Sequence, residues 1–261
     1  MAEIKVLFLG SGTSTGVPMI GCDCDTCISK NPKDKRLRSS VLLRWTDGDT
    51  LRNVLIDTST DLRQQSLANN LRRIDSVLFT HAHADHIHGI DELRSFNFIQ
   101  KEFIPCYGSG HTLSRIRSMF DYIFSDSEVG GGKPRLTLHP VSGDFELFGK
   151  MVETLPAMHG KLEVFGYRVG PLAYITDCNY IPDATLKKME GVKLLVIGAV
   201  QIEKHVTHFK VDEAIEISRR VGAEKTYLTH LNHQIKDDVV TARLPENISL
   251  AYDGLEESVK F

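Results

Sequence analysis

The chain has 261 residues, 41% of them apolar and 25% charged, enough to bury a full core as one large domain or two small ones. General disorder is excluded, and 31 basic against 34 acidic side chains, a formal charge of -3, give no global reason to bind nucleic acid or anionic lipid. No apolar run approaches the roughly 18 residues of a membrane span, and the opening Met1-Ala2-Glu3-Ile4-Lys5 lacks the features of a secretory signal, so a cytoplasmic protein without membrane contact is expected.

Ile4 to Leu9 reads as a strand running into Gly10-Ser11-Gly12-Thr13-Ser14-Thr15-Gly16. The glycine spacing fits neither phosphate-loop pattern and no helical pattern follows, so a tight turn bringing backbone close to a neighbouring site is expected. Next come Cys22, Cys24 and Cys27. Close neighbours make poor disulfides, whereas thiolates on a tight loop can converge on one soft cation. Five cysteines, an odd number, in a chain read as cytosolic favour metal over bridges. Lys35, Arg36 and Arg38 form a short basic run, more simply a solvated face than a phosphate site.

Residues 40–45 and 53–57 read as a hairpin around Asp47-Gly48-Asp49, residues 61–71 as a helix, and residues 76–80 as a buried strand. His111 to Phe124 reads as one helix with Leu113, Ile116, Phe120 and Ile123 on a core-facing stripe, followed by the glycine-rich run 129–134. The segment near 98–134 is assigned as a cover for substrate. Further strands are expected at 151–155, 165–169, 172–175, 193–197 and 226–229, with a helix over 211–221 capped by Asp212 and ended by Gly222. Each half has a strand ending in Thr-His, at Thr80-His81 and Thr229-His230, which suggests two related halves with a site at their shared edge.

The strongest chemical signal is Thr80-His81-Ala82-His83-Ala84-Asp85-His86. His81 and His83 on an extended stretch point to the same side, and Asp85 and His86 lie one turn on. Such a cluster needs metal, or it becomes an expensive pile of repelling titratable groups. Distant ligands of the right type stand at predicted strand ends: His159, Asp177 and His230. Five histidines and two aspartates could hold two cations, with Asp177 as the natural bridge because a carboxylate has two oxygens to share.

H-x-H-x-D-H after a buried strand, then His159, Asp177 and His230 in this order, resembles the metallo-β-lactamase superfamily of binuclear hydrolases over nearly the whole chain. Gly16-Val17-Pro18, Gly21-Cys22-x-Cys24-x-x-Cys27 and Leu228-Thr229-His230-Leu231-Asn232-His233 make it similar to the PhnP phosphodiesterase branch. The resemblance implies an α/β fold, an αββα sandwich of two mixed β-sheets flanked by helices, as a single domain over 1–261 with a Cys-rich zinc loop near 21–28. It implies a first metal on His81, His83 and His159 and a second on Asp85, His86 and His230. Asp177 would bridge them, with a hydroxide between. Asp85 and His208 are the catalytic candidates: His208 matches a family histidine that does not bind metal and would protonate the leaving group, with His205 as its competitor.

Cys22, Cys24, Cys27 and His233 make a Cys₃His set suited to structural zinc, tied to the catalytic centre by the three-residue step from His230 to His233. The catalytic cations would be manganese or zinc, or iron, since imidazole and carboxylate accept all three. His88, His111 and His139 read as surface groups or neighbours of ligands, Cys106 and Cys178 as small buried apolar groups, and Asp57 and Asp91 as partners for a ligand histidine.

The expected activity is hydrolysis of a small phosphate diester, a cyclic sugar phosphate by the PhnP resemblance, and relatives are consistent with a homodimer. A tRNase Z-like RNA phosphodiesterase is the enzymatic alternative, disfavoured by the slightly acidic charge and the lack of a long basic arm. A metal-binding accessory protein of the PQQ-biosynthesis type is the non-catalytic one.

Overall fold

Alternate residues of the first strand face two different cores, which is why its sequence shows no polar face. The computed structural model describes residues 3–125 and 132–261. Ile4, Val6 and Phe8 point into a cluster shared with a second sheet, while Leu7 and Leu9 point into a cluster shared with helices. The same period of two divides Val41, Leu43 and Trp45 from Leu42 in the next strand.

In chain order the first half comprises β1 (Glu3–Gly10), β2 (Ser40–Asp47), β3 (Thr50–Ile56), α1 (Leu62–Ala68), β4 (Ser76–Leu78), α2 (Ala84–Ile87), α3 (Leu93–Gln100), β5 (Ile104–Gly108), α4 (Gly110–Met119), α5 (Asp121–Phe124) and β6 (Leu136–Pro140). The second comprises β7 (Phe145–Leu147), β8 (Lys150–His159), β9 (Leu162–Val169), β10 (Leu172–Ile175), α6 (Asp183–Met189), β11 (Leu194–Gly198), α7 (Val211–Val221), β12 (Lys225–Thr229), α8 (Asp237–Thr241), β13 (Ile248–Leu250) and β14 (Glu256–Lys260). Two seven-stranded sheets result, ordered β14-β1-β2-β3-β4-β5-β6 and β7-β8-β9-β10-β11-β12-β13.

The inter-sheet core joins Phe8, Trp45 and Ile56 of one sheet to Tyr167, Tyr174 and Val196 of the other. Outside it, Leu62, Phe96, Leu113 and Ile116 fasten α1, α3 and α4 to the first sheet. Leu186, Ala214, Ile215 and Val240 fasten α6, α7 and α8 to the second. This is the expected αββα arrangement of two mixed sheets. No helix among the described residues is long and apolar enough to cross a membrane.

The two sheets repeat one pattern, three antiparallel pairings followed by three parallel ones. The halves are therefore alike, but the Thr-His pairs are not their equivalent points, because β4 corresponds to β11 and not to β12. The matching positions are Asp57 after β3 and Asp177 after β10. Both have left-handed backbone, with φ of 63° and 53°.

Other expectations change in detail. β8 runs on to His159, so that histidine ends the strand. The helix read over 111–124 is two pieces, broken at Phe120, whose φ of -123° and ψ of 45° leave helical space. α7 begins after Lys210, whose N–H donates to Glu213 Oε2 (3.0 Å), so Asp212 lies inside the first turn. Strands β5 and β6 escape sequence reading because Pro105, Gly108 and Pro140 are poor strand residues. Of the segment assigned to cover substrate, residues 126–131 lie outside the described residues.

The glycine loop behaves as a close-approach turn. A Cβ on Gly10 would lie 2.1 Å from the Arg38 carbonyl oxygen, and one on Gly12 2.9 Å from that of Arg36. The loop pairs with the backbone beside His230: Thr13 N–H donates to Leu231 O (3.1 Å), and Leu231 N–H to Ser11 O (2.9 Å).

Candidate metal centres

Parallel strands deliver side chains at their carboxyl ends, and the site is built there. Thr80 and His81 follow β4, and His83 caps α2, whose first turn carries Asp85 and His86. His159 ends β8, while Asp177 and His230 come shortly after β10 and β12. His230 is left-handed like Asp177 and Asp57, with φ of 60°. Three non-glycine residues in that region at one site are strain held in place by the surrounding packing.

Asp85, His86, Asp177 and His230 are all buried, and each offers a donor atom within 4.8 Å of the others. His86 Nε2 lies 3.2 Å from Asp177 Oδ2 and 3.3 Å from Asp85 Oδ2. His230 Nε2 lies 3.1 Å from Asp177 Oδ1 and 3.5 Å from Asp85 Oδ2. Asp57, buried behind the site, accepts from His86 Nδ1 at 2.7 Å and from the hydroxyl and N–H of Thr80.

That second contact makes the arrangement diagnostic. With its proton on Nδ1, neutral His86 turns an Nε2 lone pair toward two carboxylates, acceptor against acceptors. A divalent cation resolves this, and the Nε2 atoms of His81, His86 and His230 are buried without a hydrogen-bond partner. Without a cation the cluster resorts to protons. Burial opposes charge on His86, but Asp177, Asp85 and Asp57 outweigh it and raise its pKa well above the ordinary imidazole value. Burial likewise opposes charge on Asp177, but His230 and His86 hold it well below the usual carboxylate range. On His81, burial and the neighbouring His86 outweigh Asp177 and Asp85 and lower it well below 6.5.

His81, His83 and His159, expected to share the first metal, gather with ring centroids 4.6 to 5.8 Å apart. The compact donor set on that side is instead His159, Asp177 and His208. His208 Nδ1 is 3.7 Å from Asp177 Oδ1, and its ring is 4.5 Å from that of His159. Burial pushes His208 down to about 3. His205, its competitor, sits 4.9 Å away ring to ring and bonds Thr207 N–H. His159 Nδ1 donates to Thr207 O (2.9 Å), which leaves its Nε2 for the site.

Asp57 was legible as a partner for a ligand histidine, but Asp91 is engaged elsewhere, with the Tyr122 hydroxyl and Arg94. Asn179 carried no sequence signal. Its amide joins Gly160 N–H to Val206 O, tying the His159 turn to the loop before His208. Because Asp57 orients His86 directly, Asp57→Asn is expected to weaken one catalytic metal about 10- to 100-fold. Competitive chelator titration with elemental analysis checks this.

The Cys₃His set also comes together. Cys22 Sγ and Cys24 Sγ lie 3.2 and 3.4 Å from His233 Nδ1, and all four donors are within 4.8 Å of one another. The Cys27 N–H holds the Cys24 thiol down to about 6, while burial pushes Cys27 up to about 11. Arg36 is not part of a solvated basic face: it is 2% exposed, paired with buried Asp34 (3.4 Å), and donates to Asn232 O between the two site histidines. Lys35 donates to Cys27 O, and Arg38 pairs with Asp61. Cys106 and Cys178 are buried among apolar side chains, as expected. His88, His111 and His139 are exposed.

The beta-lactamase superfamily domain matches residues 52–231. A solved diphosphatase from the PhnP family superimposes with a TM-score of 0.90 at 38% identity, covering 99% of this chain and 98% of that one. An octanoyltransferase of Porphyromonas gingivalis is 35% identical over 257 residues, which are 97% of this chain and 51% of that protein, so the chain spans about half the length of that relative. Zn(2+)-bound PqqB from Methylobacterium extorquens shares the fold, with a TM-score of 0.71 at 20% identity over 97% of this chain and 99% of that one. The chain belongs to the metallo-β-lactamase superfamily and, within it, to the PhnP family.

Proposed function

We propose that the chain is a binuclear phosphodiesterase that hydrolyses a small phosphate diester. The observation that carries this reading is the pair of buried Nε2 atoms without hydrogen-bond partners, on His86 and His230, facing the carboxylates of Asp85 and Asp177. The 38% identity to a diphosphatase supports phosphorus chemistry over other hydrolyses of the superfamily.

Asp85, His86 and His230 would hold one cation, and His81, His83 and His159 the other, with the two oxygens of Asp177 shared. Manganese, zinc or iron bound there supplies Lewis acidity and a water of lowered pKa. Asp57 holds the proton of His86 on Nδ1 and so keeps Nε2 available. Asp85 turns one carboxylate oxygen toward both His86 and His230 and so would share the cation with them. His208 delivers the proton to the leaving oxygen. Burial keeps it neutral in the free site, and a bound phosphate anion reverses that direction by favouring imidazolium.

Purified protein with its metal content measured, assayed on bis(p-nitrophenyl) phosphate with added manganese, tests the reading. Turnover is expected, and none with two catalytic metals bound would favour the accessory role instead. His208→Ala is expected to slow alkyl diesters about 100-fold with both metals retained. p-Nitrophenyl diesters, whose leaving group needs no proton, should suffer less. Loss of a metal from that variant would make His208 a ligand.

A further inference from the structure

The left-handed backbone of His230 is costly for a residue with a side chain and persists only where the flanking peptides are fixed from outside. The residue that follows it is clamped by the glycine loop: Ser11 O accepts from Leu231 N–H (2.9 Å), and Thr13 N–H donates to Leu231 O (3.1 Å). Gly12, between them, is bridged to Leu231 on one side and to Arg38 on the other. This small ladder is fastened by one carboxylate from far along the chain, Asp253, which stands between β13 and β14. Its Oδ1 accepts from the Ser11 N–H (2.9 Å) and the Ser11 hydroxyl (2.8 Å), and its Oδ2 from the Leu37 N–H (2.7 Å). Leu37 O in turn accepts from Gly12 N–H (2.8 Å). These contacts reach no candidate metal ligand, so Asp253 acts on the site only through the loop.

We propose that Asp253 is a positioning residue for the metal centre: by fixing Ser11 it fixes the Leu231 peptide, and with it the direction in which His230 presents Nε2 to Asp85 and Asp177. This rests on the reading of His230 as a ligand of a catalytic cation. Burial opposes charge on Asp253 and pushes its pKa up to about 6, against the Leu37 N–H, the Ser11 hydroxyl and N–H, and the Arg36 guanidinium. At neutral pH the group is therefore still an anion that accepts with both oxygens, and hydrogen bonds to a charged acceptor are the stronger kind. In Asp253→Asn the amide nitrogen must face either Ser11 or Leu37, donor against donor, so one fastening opens with little change of shape.

Hydrogen exchange on the full chain, with and without manganese, reads the backbone directly. Asp253→Asn is expected to speed exchange of the Leu231 N–H about 10-fold. Manganese titrated against a competing chelator should show one catalytic cation held about 10-fold more weakly, with the zinc of the cysteine set still bound. Ser11→Ala, which removes only the hydroxyl bond, should move both readouts in the same direction by less, and it carries the test if Asp253→Asn does not fold. Wild-type exchange at Leu231, or wild-type affinity for manganese, overturns the proposal whatever happens to the melting temperature, because Asp253 would then only stabilise the fold. Both effects in a protein that turns over no diester would sink the phosphodiesterase reading and leave the positioning role standing.

Discussion

Asp177→Asn is expected to lower turnover by about 1,000-fold or more and to reduce the catalytic metal content. The carboxylate is 3% exposed and contacts four groups: the Thr176 hydroxyl at 2.8 Å, His86 Nε2 at 3.2 Å, His230 Nε2 at 3.1 Å and His208 Nδ1 at 3.7 Å. Oδ2 faces His86 and Oδ1 faces His230, the histidines of one proposed cation, and Oδ1 also faces His208 on the side of the other, so one change removes a charge from both sides of the site. Asn is the informative substitution because it tolerates the left-handed φ of 53° better than Ala does, which separates lost charge from backbone strain. Elemental analysis and steady-state kinetics on the same preparation check the result. Wild-type activity with full metal content would remove Asp177 from the bridging role.

Cys24→Ala is expected to lose one zinc per chain and to lower the melting temperature by roughly 10 °C, as the loss of a few kcal/mol would in a chain of this size. A thiol held down at about 6 is already thiolate at neutral pH, the form that binds zinc. The Cys loop meets the catalytic loop through His233 and through buried Arg36, which reaches Asn232 O. Asp34 extends the link by accepting from Asp237 N–H (2.8 Å). Catalysis should therefore fall less than stability does, through a looser His230. Calorimetry with metal analysis reads both effects, and unchanged zinc stoichiometry would remove the structural site.

The legible part of this protein was whatever a short stretch carries on its own. His81, His83, Asp85 and His86 share one turn of chain, and the cysteines share one loop, so residue type and spacing announce metal before any fold is known. Strand ends could be guessed from apolar runs, and that was enough to nominate His159, Asp177 and His230. The repeated halves were also visible, but the pairing that relates them was not. Asp57 and Asp177 become equivalent only through the order of strands in two sheets.

Burial and convergence were beyond the reach of pattern. Arg36 looks like one member of a basic run, yet it is an interior ion pair because the chain folds Asp34 and Asn232 around it. His208 and Asp177 are 31 positions apart in the sequence and meet only because the loop after β11 folds back over β10, where Phe209 N–H donates to Cys178 O. Residue chemistry is local and can be read along the chain, whereas the distances and the dielectric that give it force arise from contacts between segments far apart in sequence.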